Sequence, residues 1–337
     1  PEKSSWAKYP DRKKAWKLFS MGYSQRFIAE ECNHKQSWVS KLIPEKSIKA
    51  RITQKTAKDL SQINEFHILR ENPLVLENFI TEADVVALSD HGFNSIRLPM
   101  HYNLFTLSIQ EEPISGHNTW LNKGFEMTDS LVSWCKQNNM YVILDLHAAP
   151  GGQGGNSGIS DYNPALPSLW ESVENQNKTI ALWKKLAERY VNEPAIAGYD
   201  FLNETNWNLG PNVLRNFYVA LTDTIRQVDT NHIVFIEGNW YANDFSGLTP
   251  PWDDNMVYSP HKYWSKNFQA DIQWVLDIRN TYNVPIWFGE SGENSNTWFR
   301  NAIRLFEDFE LGWAWWPLKK IESISCPLSV TKSNEYQ

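Results

Sequence analysis

An α/β fold in which parallel strands alternate with helices is what most of this 337-residue sequence predicts, and three observations predict it. From residue 79 onward, short runs of β-branched and aromatic residues alternate with longer amphipathic stretches, the pattern of a parallel sheet covered by helices. Seven such units over this length favour a (β/α) barrel over an open sheet. Polar side chains able to do chemistry recur at the C-terminal ends of the strand-like runs, which is the rim where barrels assemble their sites. The stretch before them differs in charge. Residues 1–60 carry 14 Lys+Arg against 6 Asp+Glu and the remainder 18 against 33, so the net −7 conceals a basic head on an acidic body.

The head comes first in the chain. In residues 11–43 (DRKKAWKLFSMGYSQRFIAEECNHKQSWVSKLI), Ala15, Leu18 and Phe19 have helical spacing. Ser24 suits an N-cap ahead of Phe27, Ile28 and Ala29. A turn at Asn33-His34-Lys35 precedes a third apolar stripe of Val39, Leu42 and Ile43. This spacing resembles the helix-turn-helix of regulators, recombinases and small phage DNA-binding proteins. The resemblance implies Gln36, Ser37, Ser40 and Lys41 as base-reading candidates, with Arg12, Lys13, Lys14 and Lys35 on phosphates. The plainer alternative is a basic three-helix segment that binds nothing. Residues 44–60 are polar and charged and read as a linker, which places the domain boundary at 60/61.

Strands in the body are expected at 94–98 (NSIRL), 141–146 (YVILDL), 197–202 (AGYDFL), 232–237 (HIVFIE), 256–259 (MVYS), 285–289 (PIWFG) and 311–316 (LGWAWW). Helices are expected near 81–91, 127–139, 173–191, 211–229, 267–282 and 296–309; residues 176–190 (QNKTIALWKKLAERY) are plainly amphipathic. A (β/α)8 TIM-barrel type has eight strands, and 61–79 offers no convincing first one, the run at 66–69 being too short. After Lys320 there is no amphipathic last helix. Both defects fall at one seam, so the reading is a barrel truncated at both ends by fusion or assembly, with exposed sheet edges.

Composition excludes several classes. No run of 18 apolar residues exists, so a membrane helix is not expected. Cys32, Cys135 and Cys326 are too scattered for a metal or redox motif, and Cys135 reads as a buried thiol. The 17 Trp exceed what a core requires and suit stacking on sugar faces. The Gly-rich stretch 151–158 (GGQGGNSG) lacks the Lys-Ser/Thr of a phosphate loop and suits close approach of backbone to a substrate.

Six segments carry a resemblance over residues 75–325: GFNSIRLPMHY (92–102), ILDLHAAPGGQGG (143–155), YDFLNETNW (199–207), SPHKYW (259–264), IWFGESGEN (286–294) and GWAWWPLKK (312–320). In order and spacing they resemble glycoside hydrolase family 5, the cellulase and β-glucanase group. The resemblance implies a retaining hydrolase of β-linked oligo- or polysaccharides, with Glu204 as proton donor and Glu290 as nucleophile. It implies that Arg97 and Tyr263 hold Glu290, and that Asn203 meets a sugar 2-OH. His147 and His261 would bind hydroxyls or orient the glutamates, and Trp207 would wall a subsite. Trp316 would form the sugar platform, with Trp315 as the competing register; Trp240, Trp264 and Trp298 are further candidate walls. Neither metal nor cofactor is required, a monomer is expected, and the family points to secretion although this chain shows no signal peptide. Two other readings stand beside it: a carbohydrate-binding protein without turnover, and a DNA-binding regulator that uses the barrel as a sugar sensor.

Overall fold

The computed structural model describes residues 80–321, together with Ala29, Cys32, Asn33, Lys35, Cys326 and Leu328–Val330. The proposed base-reading residues Gln36, Ser37, Ser40 and Lys41, and the stretch 61–79, lie outside the described residues. The chain divides into two compact units, Pro1–Ile63 with Lys319–Gln337, and Asn64–Leu318. In the first, Ala29 is helical and buried, and Asn33 takes the left-handed conformation (φ 52°) that asparagine tolerates. Its strands β9 (Lys319–Ile321) and β10 (Leu328–Val330) pair in parallel.

The second unit alternates strand and helix in this order: α1 (Glu82–Asp90), β1 (Ser95–His101), α2 (Asn122–Gln137), β2 (Tyr141–Ala148), α3 (Val173–Tyr190), β3 (Ile196–Asp200), α4 (Val213–Arg226), β4 (Ile233–Ile236), β5 (Met256–Tyr258), β6 (His261–Lys262), α5 (Gln269–Tyr282), β7 (Trp287–Gly292), α6 (Asn296–Asp308) and β8 (Gly312–Trp316). Every ladder is parallel. One sheet runs β1-β2-β3-β4-β5, another β6-β7-β8, and an isolated Tyr258–Ile286 bridge links them. The result is an arc of parallel strands around a barrel-like interior. Among the described residues no ladder joins β1 to β8, so the barrel is not closed there. These edge strands keep half-buried positions, whereas β2 is buried from Val142 to Ala148.

Several boundaries differ from the sequence expectation, two of them for a plain physical reason. The strand expected at 256–259 ends at Tyr258, and a further short strand, β6, begins after Ser259-Pro260, because Pro260 has no N–H to give a ladder. Helix α2 starts at Asn122 rather than 127. Gly124 looks like a breaker, yet it is needed there, since a Cβ would lie 2.7 Å from the Leu104 carbonyl oxygen. Strand β7 runs on to Gly292, so Glu290 lies within the strand and not at its end.

Period-two alternation sorts the side chains into two layers. Val142, Leu144, Leu146, Tyr199, Val234, Ile236, Met256 and Phe288 join the layer packed under the helices. Helix α3 supplies Leu182, Trp183, Leu186 and Ala187 to it, at the spacing of one helical face. Ile143, Phe235 and Val257 form a separate inner cluster against Ala197, Ile233 and Trp287. Two residues further along β2 from Ile143, and two beyond Phe235 at the end of β4, the same inner face presents Asp145 and Glu237. The interior is therefore apolar toward the strand starts and acidic toward the strand ends.

Trp183 is fully buried and donates its indole N–H to the Phe201 carbonyl at 3.1 Å. Trp183→Ala should cost about 3–5 kcal/mol, read as a lower denaturant midpoint. Trp264, 77% exposed, should tolerate Ala within about 0.5 kcal/mol.

Candidate active site

Arg97 is the middle of the acidic cluster. From β1 its Nη1 donates to Glu290 Oε1 at 2.5 Å and lies 3.1 Å from Asp145 Oδ2. Nε donates to Asp200 Oδ2 at 2.8 Å, and Nη2 to Glu237 Oε1 at 2.7 Å and Asn203 Oδ1 at 3.1 Å. A planar guanidinium can satisfy this many acceptors at once; an ammonium cannot. Asp145, Asp200 and Glu237 are fully buried. Burial lifts Asp200 well above the usual carboxylate range, with repulsion from Glu237 and Asp145 adding to it and Arg97 opposing. The other oxygen of Asp200, Oδ1, has no hydrogen-bond partner.

The two glutamates singled out in the sequence meet at this end of the interior. Glu290, on β7, faces His261 across the β6–β7 ladder. Its Oε1 accepts from Arg97 and its Oε2 from the Tyr263 hydroxyl at 2.6 Å. Burial opposes its ionisation, but the positive charges of His261, Arg97 and His147 and the Tyr263 hydrogen bond prevail and bring it to about 2. Glu204 follows β3 and is held by His261, whose Nδ1 donates to its Oε1 at 2.8 Å. Burial, and then the charges of Glu290 and Glu237, raise the Glu204 carboxyl against the opposing effect of His261. One oxygen of Glu204 and one of Glu290 lie within 4.8 Å of each other and of His261. One site thus holds one carboxylate driven to ionise and one held toward protonation.

The supporting residues fix these two in place. Glu204 sits at φ 40°, a left-handed position that costs a non-glycine residue about 1–2 kcal/mol. Its backbone N–H donates to Glu237 Oε2 at 2.6 Å. His147 donates from Nδ1 to Asp145 Oδ2 at 2.7 Å, and its Nε2 is 3.2 Å from Asn203 Nδ2. Gln153 is wholly buried. It donates to the His147 and Asn203 carbonyls, both at 2.7 Å, and so ties the end of β2 to the turn that carries Glu204. Gly151 and Gly152 have φ 80°, and a Cβ on either would strike neighbouring protein atoms at 2.2 and 2.8 Å. These two glycines let their loop pack closely, Gly151 against Asn175 of α3 and Gly152 against Tyr162.

Alternation separates the two tryptophans at the end of β8. Trp316 stacks on His147 (4.8 Å, 8°), and Trp315 stacks on Phe299 of α6 (3.4 Å). Trp207 packs edge-on against Tyr162, and both its backbone N–H and carbonyl bond the Asn239 side chain. Of the other tryptophans named as walls, Trp264 and Trp240 are exposed, whereas Trp298 is tied by its indole N–H to the Ser265 carbonyl beneath the Lys262 ammonium. The sequence reading overlooked Asp145, Asp200, Gln153 and Glu237. Counting back by two from His147 reaches Asp145, and Glu237 closes the strand expected at 232–237. Gln153 carried no such signal.

Three sets of ligand atoms, Asp145/His147/Glu290, Glu204/His261/Glu290 and Asp145/Asp200/Glu237, are each close enough to hold a cation. The positive charges that meet them are those of Arg97 and His261. Arg97→Met should cost about 3–5 kcal/mol, the cost of leaving buried partners uncompensated. The loss should grow from pH 4 to pH 7. Without Arg97 the buried carboxyls keep protons that the unfolded chain releases, so folding stability falls as pH rises. Urea midpoints at the two pH values check this.

The family model described as Cellulase (glycosyl hydrolase family 5) matches residues 55–320. A β-xylosidase of Phanerodontia chrysosporium is 33% identical over 282 residues, covering 73% of this chain and 58% of that enzyme. Endoglucanase C of Acetivibrio thermocellus is 24% identical over 314 residues, covering 73% of this chain and 86% of that enzyme. Among solved structures, the endoglucanase Cel5A of Thermotoga maritima superposes with a TM-score of 0.58 at 18% identity, over 70% of this chain and 82% of that one.

Proposed function

The chain belongs to glycosyl hydrolase family 5, and from that premise we propose that it hydrolyses β-glycosidic bonds of glucans or related glycans with retention, using Glu290 as nucleophile and Glu204 as acid/base. The observation that carries this reading is a pair of close carboxyl groups in different settings, Glu290 held by Arg97 and Tyr263 and Glu204 held by His261. One oxygen of each lies within 4.8 Å of one of the other, which favours the ~5–5.5 Å carboxyl separation of retaining enzymes over the ~6.5–9.5 Å of inverting ones. Support for the substrate class comes from the relatives, named as a β-xylosidase and an endoglucanase.

The reaction runs in two displacements. Ionised Glu290 attacks the anomeric carbon while protonated Glu204 gives its proton to the leaving oxygen, and the glycosidic C–O bond breaks as the Glu290–carbon bond forms. Esterified Glu290 no longer carries charge, so the repulsion that raised Glu204 falls, and Glu204 takes a proton from the water that attacks the intermediate. That water cleaves the ester and restores both groups. Arg97 and Tyr263 keep the attacking carboxylate ionised and aimed. Asn203, oriented by Arg97 and His147, offers a contact to the sugar 2-OH, and Trp316, braced by His147, offers its ring face to the sugar.

Assays on β-1,4- and β-1,3-glucans and on nitrophenyl β-glycosides test the reading. Glu290→Ala should lower kcat by at least ~10³-fold on every substrate; surviving turnover would remove Glu290 from this role. Glu204→Ala should damage glycan hydrolysis far more than release of nitrophenolate, which leaves without a proton. Wild-type kcat/KM should fall as pH rises through the elevated Glu204 value, while the acid limb, set by Glu290 at about 2, lies far lower.

A further inference from the structure

We propose that Glu237 is a positioning residue that sets Glu204 for proton transfer, through the Glu204 backbone and through His261. This rests on the assignment of Glu204 as acid/base. Glu237 follows β4 and is fully buried, with its two oxygens divided between the two halves of the site. Oε2 accepts the Glu204 backbone N–H at 2.6 Å and so anchors a residue held at φ 40°. Oε1 accepts Arg97 Nη2 at 2.7 Å and lies 3.2 Å from His261 Nε2. The opposite ring nitrogen, Nδ1, is the one that donates to Glu204 Oε1. Glu237 therefore meets Glu204 from two directions: it bonds the main chain directly, and its charge faces the imidazole that holds the carboxyl, an electrostatic approach since His261 Nε2 makes no hydrogen bond.

The backbone around Glu237 makes this grip stiff. At the next residue, Gly238, a Cβ would fall 2.7 Å from the Asp244 carbonyl, and Asn239 then donates its backbone N–H to that carbonyl at 2.8 Å. The following turn bonds back to the same loop, with the Tyr241 N–H donating to the Thr205 carbonyl at 3.2 Å. Segments 203–207 and 237–244 are thus fastened together, and Glu237 is the fastening nearest the reacting carboxyl. A buried carboxylate used only to neutralise Arg97 would have no need of the Glu204 N–H. The negative charge of Glu237 also favours the protonated form of Glu204 and the charged form of His261.

Glu237→Gln keeps the size of the side chain but removes the charge. It should lower kcat on β-glucans or alkyl β-glycosides by about 10- to 100-fold, the range for losing a hydrogen bond to a charged group, with KM little changed. On the nitrophenyl glycoside of the same sugar, where no proton is needed, the loss should be several-fold smaller. Glu237→Asp, which keeps the charge but shortens the reach, should show the same split and carries the test alone if the Gln variant does not fold. Equal losses on both leaving groups, or no loss, would overturn the proposal. Glu204→Ala run in parallel separates two failures. If it shows no leaving-group split, the acid/base reading is wrong; if it does and neither Glu237 variant does, only the present inference falls.

Discussion

One guanidinium and the carboxylates around it set the terms for the rest of the interior. Four acidic side chains share a small buried volume with Arg97, which contacts all four. Removed from water, any two of these carboxylates would repel strongly, and burial alone would protonate them. A single delocalised cation with a fixed fork can reach acceptors on several strands, and its donors fix the strand ends relative to one another. Glu290 benefits most: it lies beside the cation and receives the Tyr263 hydroxyl, so its carboxyl is lowered, whereas burial raises that of Asp200. The unequal sharing of one positive charge lowers the Glu290 carboxyl while burial raises those of its neighbours Asp200 and Glu204.

The loops complete this work from above. Gln153, Asn239 and Glu237 have no place in the chemistry of bond cleavage, yet each ties the turn containing Asn203 and Glu204 to another loop or strand end. The strained backbone at Glu204 persists because of these bonds, as strain at functional sites generally needs surrounding structure that over-determines it. Placement of Glu204 is therefore a property of three loops together.

Much of this was legible in the amino-acid sequence. Seven strand positions and six helices could be read from hydrophobic period, and the residues at strand ends could be singled out by the resemblance. What periodicity could not supply was contact across the barrel. Arg97 and Glu290 are 193 positions apart and Arg97 and Asp200 are 103 apart, so no local signal declares the ion cluster. Glu237 was missed although its position matched the strand-end rule, because a glutamate closing a hydrophobic run also reads as a solvated charge. The α2 boundary was missed because a glycine that the packing requires looks the same as one that ends a helix.

The separation of the interior into an apolar part and an acidic part follows from strict alternation along each strand. That has a consequence for how the chain can change length. Inserting or deleting one residue within β1, β2 or β4 would exchange the two faces of everything downstream in that strand. Arg97, Asp145 or the run into Glu237 would turn outward under the helices while a leucine or valine entered the acidic end. Changes of two residues would preserve the faces but move each charge by a full repeat, out of reach of its partners. Length variation in this fold is thereby confined to surface segments such as the exposed turn at 163–166, where no strand's alternation is being counted.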